Sequence, residues 1–423
     1  MSNTLHTIAV DLTPVLPDGE NGGAKLFVLE LLRILAEMKP KTDFILLTQE
    51  ASHEELSALD CANMRRVMVR TTSASPTKSN QLHAGANILP LVSRNIHRTA
   101  IRLKKSIMKR MGKHPIKTRK LLKEMAVDLL FCPFTAPTYY EPEIPVVSTI
   151  YDLQYKTYPE FFTPEDVALR NKTFLEACSR ATMLTAISDY SRKSAIQHGN
   201  IEPDRIRTIY LQMAQRITSK TENPDKLLNH FGLTSNLYFI YPANFWKHKN
   251  HEILLTAFAI STRQGLPQDI KLVCTGAPGE RQQWLIRAAS VLGLENRVIF
   301  PGYLPTDELS SLLSHAAGMV FPSLYEGFGL PVIEAMAAGI PVACSNTRSL
   351  PEISGNAALL FDPGVPEQIS QSMVNLIDNL ELRKRLIAAG KIRAAEFSDT
   401  KMMGNEYWEL FENAMAINKR KKP

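Results

Sequence analysis

Short apolar runs rich in Val, Ile and Leu alternate along this chain with amphipathic stretches of roughly 10 to 16 residues. That alternation predicts parallel strands joined by crossover helices, because a strand buried on both faces reads as a continuous apolar run and its parallel return needs a helix. In the first half the strand candidates are TIAVDL (7–12), FILLT (44–48), RVMV (66–69), VDLLFC (127–132), VVSTI (146–150), MLTAI (183–187) and RTIYL (207–211). The pattern then restarts with YFIYPA (238–243), KLVCTG (271–276), RVIFPG (297–302), GMVFPS (318–323), PVACS (341–345) and ALLF (358–361). Two series of strands predict an α/β protein of two doubly wound, Rossmann-like units facing across a cleft. Residues 212–229 are polar, lack sustained periodicity and carry Asn223-Pro224, which reads as a linker and a domain start. The expected division is 1–215, 216–399 and a terminal helix with a basic tail at 400–423, whose Tyr407, Trp408 and Phe411 suit packing back onto the first unit.

Ligands of such sheets bind where strands give way to helices. The stretch 323–345, SLYEGFGLPVIEAMAAGIPVACS, follows a strand, turns at Gly327 and Gly329 and enters a helix near Pro331. Glu326 and Glu334 flank the turn, and the amides of Phe328, Gly329 and Leu330 are placed to meet an anion or a hydroxyl, since a helix start leaves its donors unpaired. An ordinary strand-turn-helix fits these residues too, and Gly327-x-Gly329 alone is a weak nucleotide signal. In 241–259, YPANFWKHKNHEILLTAFA, the cations Lys247 and Lys249 with His248 and His251 crowd a helix start, where positive charge is unfavourable without an anionic ligand. A solvated loop is the alternative there.

Taken together these motifs resemble the GT-B fold retaining glycosyltransferases of the Glu-x7-Glu group, family 4, the group 1 transferases. Glu326-Gly-Phe-Gly-Leu-Pro-Val-Ile-Glu334 carries the motif. Further matches are 241–251, TAISDYS (185–191), Pro301-Gly302-Tyr303 and LPEISG (350–355), so the likeness runs from about residue 7 to the C-terminus. It implies that Glu334 accepts the ribose hydroxyls of a nucleotide diphosphate sugar and that Glu326, with the amides of Phe328, Gly329 and Leu330, holds the transferred sugar. Lys249 would neutralise the diphosphate. Relatives often carry an Arg where Asn244 stands here, so the missing charge falls to His248 or Lys247. Gly302 and Tyr303 match the region that reads the base, and Gly22-Gly23 the turn that lies under the diphosphate. Asp152 follows VVSTI in a motif that many relatives write His-Asp; here it is Tyr151-Asp152, which leaves Asp152 as an acceptor-orienting catalytic group or a structural carboxylate.

The resemblance implies hexosyl transfer with retention to a saccharide or lipid-linked saccharide acceptor of bacterial surface polysaccharide, with no cofactor and no metal. No Asp-x-Asp occurs in the chain. A GT-B nucleotide-sugar epimerase and a catalytically silent nucleotide-sugar-binding subunit are the alternative classes. The intact Glu-x7-Glu disfavours the first, while Asn244 and Tyr151 keep the second open.

Composition changes this picture in one respect. The net charge of +7 is uneven: 12 Lys/Arg and no acidic residue lie between Arg94 and Lys123, and removing those 12 leaves −5 for the rest. An acidic body with one basic segment argues against nucleic acid as a partner. Within 94–111, Ile96, Ala100, Leu103, Ile107 and Met111 fall on one helical face, the pattern of a membrane-surface helix. A solvated helix packed on its own domain is the alternative. With five scattered cysteines, no C-x-x-C and no secretory h-region in the N-terminal sequence, the expected location is cytoplasmic, peripheral at the inner membrane surface. The variant with Lys104, Lys105, Lys109 and Arg110 changed to Glu is expected to stop pelleting with anionic liposomes; pelleting equal to wild type would remove the membrane role.

Overall fold

The computed structural model describes residues 5–17, 22–70, 120–217 and 223–420. Most of the basic segment, with its amphipathic pattern at 94–111, lies outside the described residues. Of its C-terminal end, Lys123 bonds Glu143 at 2.8 Å on the surface.

Among the described residues thirteen strands form two wholly parallel sheets. The first contains β1 (Thr7–Asp11), β2 (Asp43–Gln49), β3 (Met64–Arg70), β4 (Leu129–Cys132), β5 (Val146–Ile150), β6 (Met183–Ala186) and β7 (Ile206–Thr208), in the order β3-β2-β1-β4-β5-β6-β7. The second contains β8 (Tyr238–Pro242), β9 (Lys271–Thr275), β10 (Val298–Gly302), β11 (Gly318–Phe321), β12 (Val342–Ser345) and β13 (Ala358–Phe361), in the order β10-β9-β8-β11-β12-β13. Each strand matches a run read from the sequence, displaced by a few residues at most. The central strands β4 and β11 are buried at every position, which is why they read as unbroken apolar runs.

In each sheet the strand order reverses once, between β1 and β4 and between β8 and β11. There the connecting helices leave to opposite faces, opening a crevice at the carboxyl ends of the strands. The two crevices face each other. A Cβ on Gly23, in the helix Gly22–Met38 after β1, would touch Leu330 at 3.5 Å, and one on Gly22 would meet Trp246, after β8, at 3.9 Å.

The chain crosses between the sheets twice, and the crossings are tied together. Ala214 N donates to Phe397 O at 3.0 Å, and Asp399 N to the Gln212 side chain at 3.1 Å. The expected polar linker is therefore corrected in its first part: Gln212, Met213, Ala214 and Ile217 are all buried, because they pack against the second crossing instead of spanning solvent. After it, Asn223 caps the helix Pro224–His230 through Lys226 N at 3.0 Å.

The terminal helix Thr400–Arg420 returns to the first sheet. Tyr407 and Phe411 are fully buried against Phe131, with ring centroids 5.7 and 5.2 Å away. Gly404 lets this helix approach Ile34 and Met38, since a Cβ there would sit 2.8 and 2.7 Å from their side-chain atoms. Among the described residues no helix is long and apolar enough to cross a membrane. Phe411→Ala empties a site between helix and sheet and is expected to cost about 3 to 5 kcal/mol in chemical denaturation; wild-type stability would show the returning helix to be dispensable.

Candidate active site

The second sheet brings two loops together at its switch point. After β8 the chain passes Asn244 and Trp246 into the short turn Lys247–Lys249. After β11 it passes Ser323 and Glu326 into the helix Leu330–Ala337. The loops are laced by backbone: Leu324 N donates to His248 O at 2.8 Å, and the Tyr241 hydroxyl to Lys249 O at 2.8 Å. Asn250 adopts a left-handed conformation at φ 60°, tolerable for Asn, and its side-chain amide binds Pro322 O and Pro363 O at 3.1 and 2.8 Å. This lacing aims Lys249 at Glu326, Nζ to Oε1 at 2.5 Å, with both side chains 13% exposed.

The turn after Glu326 is built for close contact. Ser349 donates to Glu326 O at 2.9 Å and to Phe328 O at 3.1 Å. Gly329, at φ +102°, lies under Leu350, whose Cδ2 would be 2.6 Å from any Cβ placed there. Phe328 is buried against Tyr210 and Phe397. Among the described residues the amides of Phe328, Gly329 and Leu330 find no acceptor, so three donors stand free at the start of this helix. Glu334, one turn on and 3% exposed, accepts from Arg216 Nε at 2.8 Å and Nη2 at 2.6 Å.

The first sheet contributes Tyr151 and Asp152 after β5. A Cβ on Gly327 would fall well inside contact distance of the Tyr151 carbonyl, so this seam between the halves admits only glycine. Ser188 and Ser191, from the TAISDYS stretch, donate to Gly327 O at 2.6 and 3.2 Å. Glu352, from LPEISG, accepts the amides of Asp189 and Tyr190 at 2.7 and 2.9 Å and so caps a helix of the opposite half. Asp152 opens to solvent in the cleft but is ringed by protein on its other sides. Desolvation raises its carboxyl above the ordinary value; Glu326 pushes the same way, while the bond to Gln154 N and the charges of Arg170 and Lys249 oppose it. Both readings of Asp152 thus find an observation: it feels the Lys249–Glu326 pair, and its Oδ1 accepts Gln154 N at 3.0 Å. Tyr151, wedged between Phe27 and Phe134, has its hydroxyl pushed well above the usual range by burial.

Burial, reinforced by Lys249 and His251, lowers the His248 ring to about 3. Asn244 serves as a tether, its side-chain oxygen accepting Ala277 N at 2.9 Å to join the loops after β8 and β9. On that same side, Gly276 N donates to Gly302 O at 2.9 Å, and Tyr303 projects 69% exposed. Sequence reasoning missed Arg216, Ser349 and the tethering role of Asn250. Ser349 adjoins a matched motif and Asn250 lies within one, whereas nothing in the spacing marks Arg216.

A model of the family described as Glycosyl transferases group 1 matches residues 226–393. The O-antigen chain mannosyltransferase B of Escherichia coli is 31% identical over 271 residues, which are 63% of this chain and 70% of that protein. The serotype-specific mannosyltransferase WbdA of Escherichia coli is 28% identical over 52% of this chain, which spans 27% of that longer protein. Among solved structures, WaaG, a glycosyltransferase involved in lipopolysaccharide biosynthesis, superposes with a TM-score of 0.65 at 16% identity, covering 96% of this chain and 99% of that one. HepE of Anabaena, in complex with UDP and glucose, gives 0.66 at 16% identity over 96% and 98%. The facing sheets define a GT-B fold. The chain belongs to the group 1 glycosyl transferases, and it is a glycosyltransferase.

His251 carries the testable electrostatics of this site. Burial, with Lys249 and Arg281 adding to it, lowers its ring from 6.5 to about 3, and neither ring nitrogen has a partner among the described residues. The unfolded chain therefore takes up this proton first, and stability falls as pH drops from 6.5 towards 3. His251→Phe is expected to lessen the fall in denaturation midpoint between about pH 7 and 5; equal slopes would place the acid sensitivity elsewhere.

Proposed function

We propose that this enzyme transfers a mannosyl residue, with retention and without a metal, from a nucleotide diphosphate sugar to a saccharide or lipid-linked saccharide of a bacterial surface polysaccharide such as O-antigen. The mannosyl and O-antigen readings rest on the Escherichia coli relatives. The observation that carries the site is the Lys249–Glu326 pair, set beside three free helix-start amides and opposite the Gly22-Gly23 turn.

In this reading the diphosphate enters over Gly22-Gly23, and Lys249 turns part of its charge from Glu326 to the phosphates. Glu326 and the amides of Phe328, Gly329 and Leu330 hold sugar hydroxyls. Glu334 accepts ribose hydroxyls, and the base lies towards Gly302 and Tyr303. The acceptor hydroxyl attacks the anomeric carbon from the face the leaving group occupies. The bond from that carbon to the phosphate oxygen breaks, and the departing oxygen takes the acceptor's proton. Charge growing on that oxygen is met by Lys249 and the backbone dipoles, donors fixed before the reaction begins. Asp152 orients the acceptor, and its raised carboxyl suits a hydrogen-bonding role at the cleft wall. Anionic lipid is the proposed surface partner of the basic segment, which belongs to the acceptor half of the sequence.

Incubation with a panel of UDP-, GDP- and dTDP-sugars, GDP-mannose included, is expected to release free nucleotide diphosphate and to leave an α-linked product. Lys249→Ala and Glu326→Ala should each lose about 100-fold or more in kcat while remaining folded. An isomerised donor would make the chain an epimerase, and binding without turnover a silent subunit. Activity abolished by a chelator and restored by magnesium would overturn metal independence.

A further inference from the structure

Glu334 is buried on a helix of the donor half, and its partner comes from the crossing between the two sheets. Arg216 sits in the first crossing between the sheets, and both of its bonds fall on one carboxylate oxygen, Oε1. The crossing is held by Ala214 N on Phe397 O and by a turn from Arg216 N to Met213 O at 3.1 Å. The next residue, Ile217, is buried and accepts from the Ser310 hydroxyl at 3.3 Å. The backbone of Arg216 is therefore anchored on both sides, which sets where its side chain starts towards Glu334.

We propose that Arg216 is a positioning residue for the donor site, keeping the Glu334 carboxylate ionised and turned so that Oε2 stays available to the ribose hydroxyls. This rests on the reading of Glu334 as the ribose acceptor. A carboxylate at 3% exposure tends to take a proton, since burial disfavours its charged form, and the guanidinium opposes this. Other charges near this helix are engaged elsewhere. Glu352 caps the amides of Asp189 and Tyr190, Arg393 binds Ile353 O and Glu352 O, and Lys391 lies against Gly339 at the helix's far end. Arg216 is the charge that acts on Glu334 among the described residues.

The test measures donor KM and kcat from acid to alkaline pH for wild type, Arg216→Met, Arg216→Lys, Glu334→Gln and the double variant Arg216→Met/Glu334→Gln. Arg216→Met is expected to raise donor KM about tenfold or more at neutral pH with a smaller change in kcat. Its KM should worsen as pH falls and recover as pH rises, because the unsupported carboxylate protonates at higher pH. Arg216→Lys should restore part of the loss, and Arg216→Met should add nothing in the Glu334→Gln background. A pH-independent KM, or full additivity with Glu334→Gln, would reduce Arg216 to a structural tie and overturn the proposal. Wild-type donor KM in Glu334→Gln would instead overturn the ribose reading beneath it. Should Arg216→Met fail to fold, Arg216→Lys decides: its KM must rise and keep the steeper acid limb, and a wild-type profile overturns the proposal.

Discussion

The seat of Gly327 against the Tyr151 carbonyl governs the geometry of the cleft. Backbone of the donor half touches backbone of the acceptor half there, at a distance no side chain would permit. The Gly327 carbonyl then takes two hydroxyls, from Ser188 and Ser191, and Ser191 also binds Tyr151 O at 2.8 Å. A few residues away the Tyr325 hydroxyl meets Leu153 N at 3.3 Å, and Glu352 caps a helix of the other half. This seam joins residues far apart in sequence, and it sets the two switch points face to face. Without it the Gly22-Gly23 turn would have no reason to lie beside Leu330 and Trp246.

Electrostatically, both glutamates of the Glu-x7-Glu motif are held by a cation. Lys249 pairs with Glu326, and Arg216 with Glu334, so neither buried carboxylate stands without a counter-charge. His248 and His251 contribute no charge near neutral pH, since both are driven down to about 3 by burial. What remains for a phosphate is Lys249, the exposed Lys247 of the same turn and a set of amides whose direction the fold has already fixed. Such dipoles carry no net charge and need no rearrangement as charge develops on a leaving group.

Stability and site geometry share the same two crossings. Residues 212–217 and 397–400 bond to each other, one carrying Arg216 to the donor helix and the other leading into the helix that fills the first sheet's surface with Tyr407 and Phe411. A segment that reads as spacer is thereby a structural part of the carboxylate it serves.

The sequence by itself determined the strands described in both sheets, the restart of the pattern after residue 230, and the Glu326 and Lys249 turns, because burial on both faces and helix starts leave local signatures in residue type. It also placed Tyr407 and Phe411 as packing residues. It could not reveal that His248 is neutral, that Asn244 is a tether, or that Arg216 reaches Glu334 across 118 positions. Those depend on desolvation and on contacts between distant segments, and neither is written in the neighbours of a residue. Tertiary structure alone decided which charges are paired, which amides stay free and which glycine the seam requires.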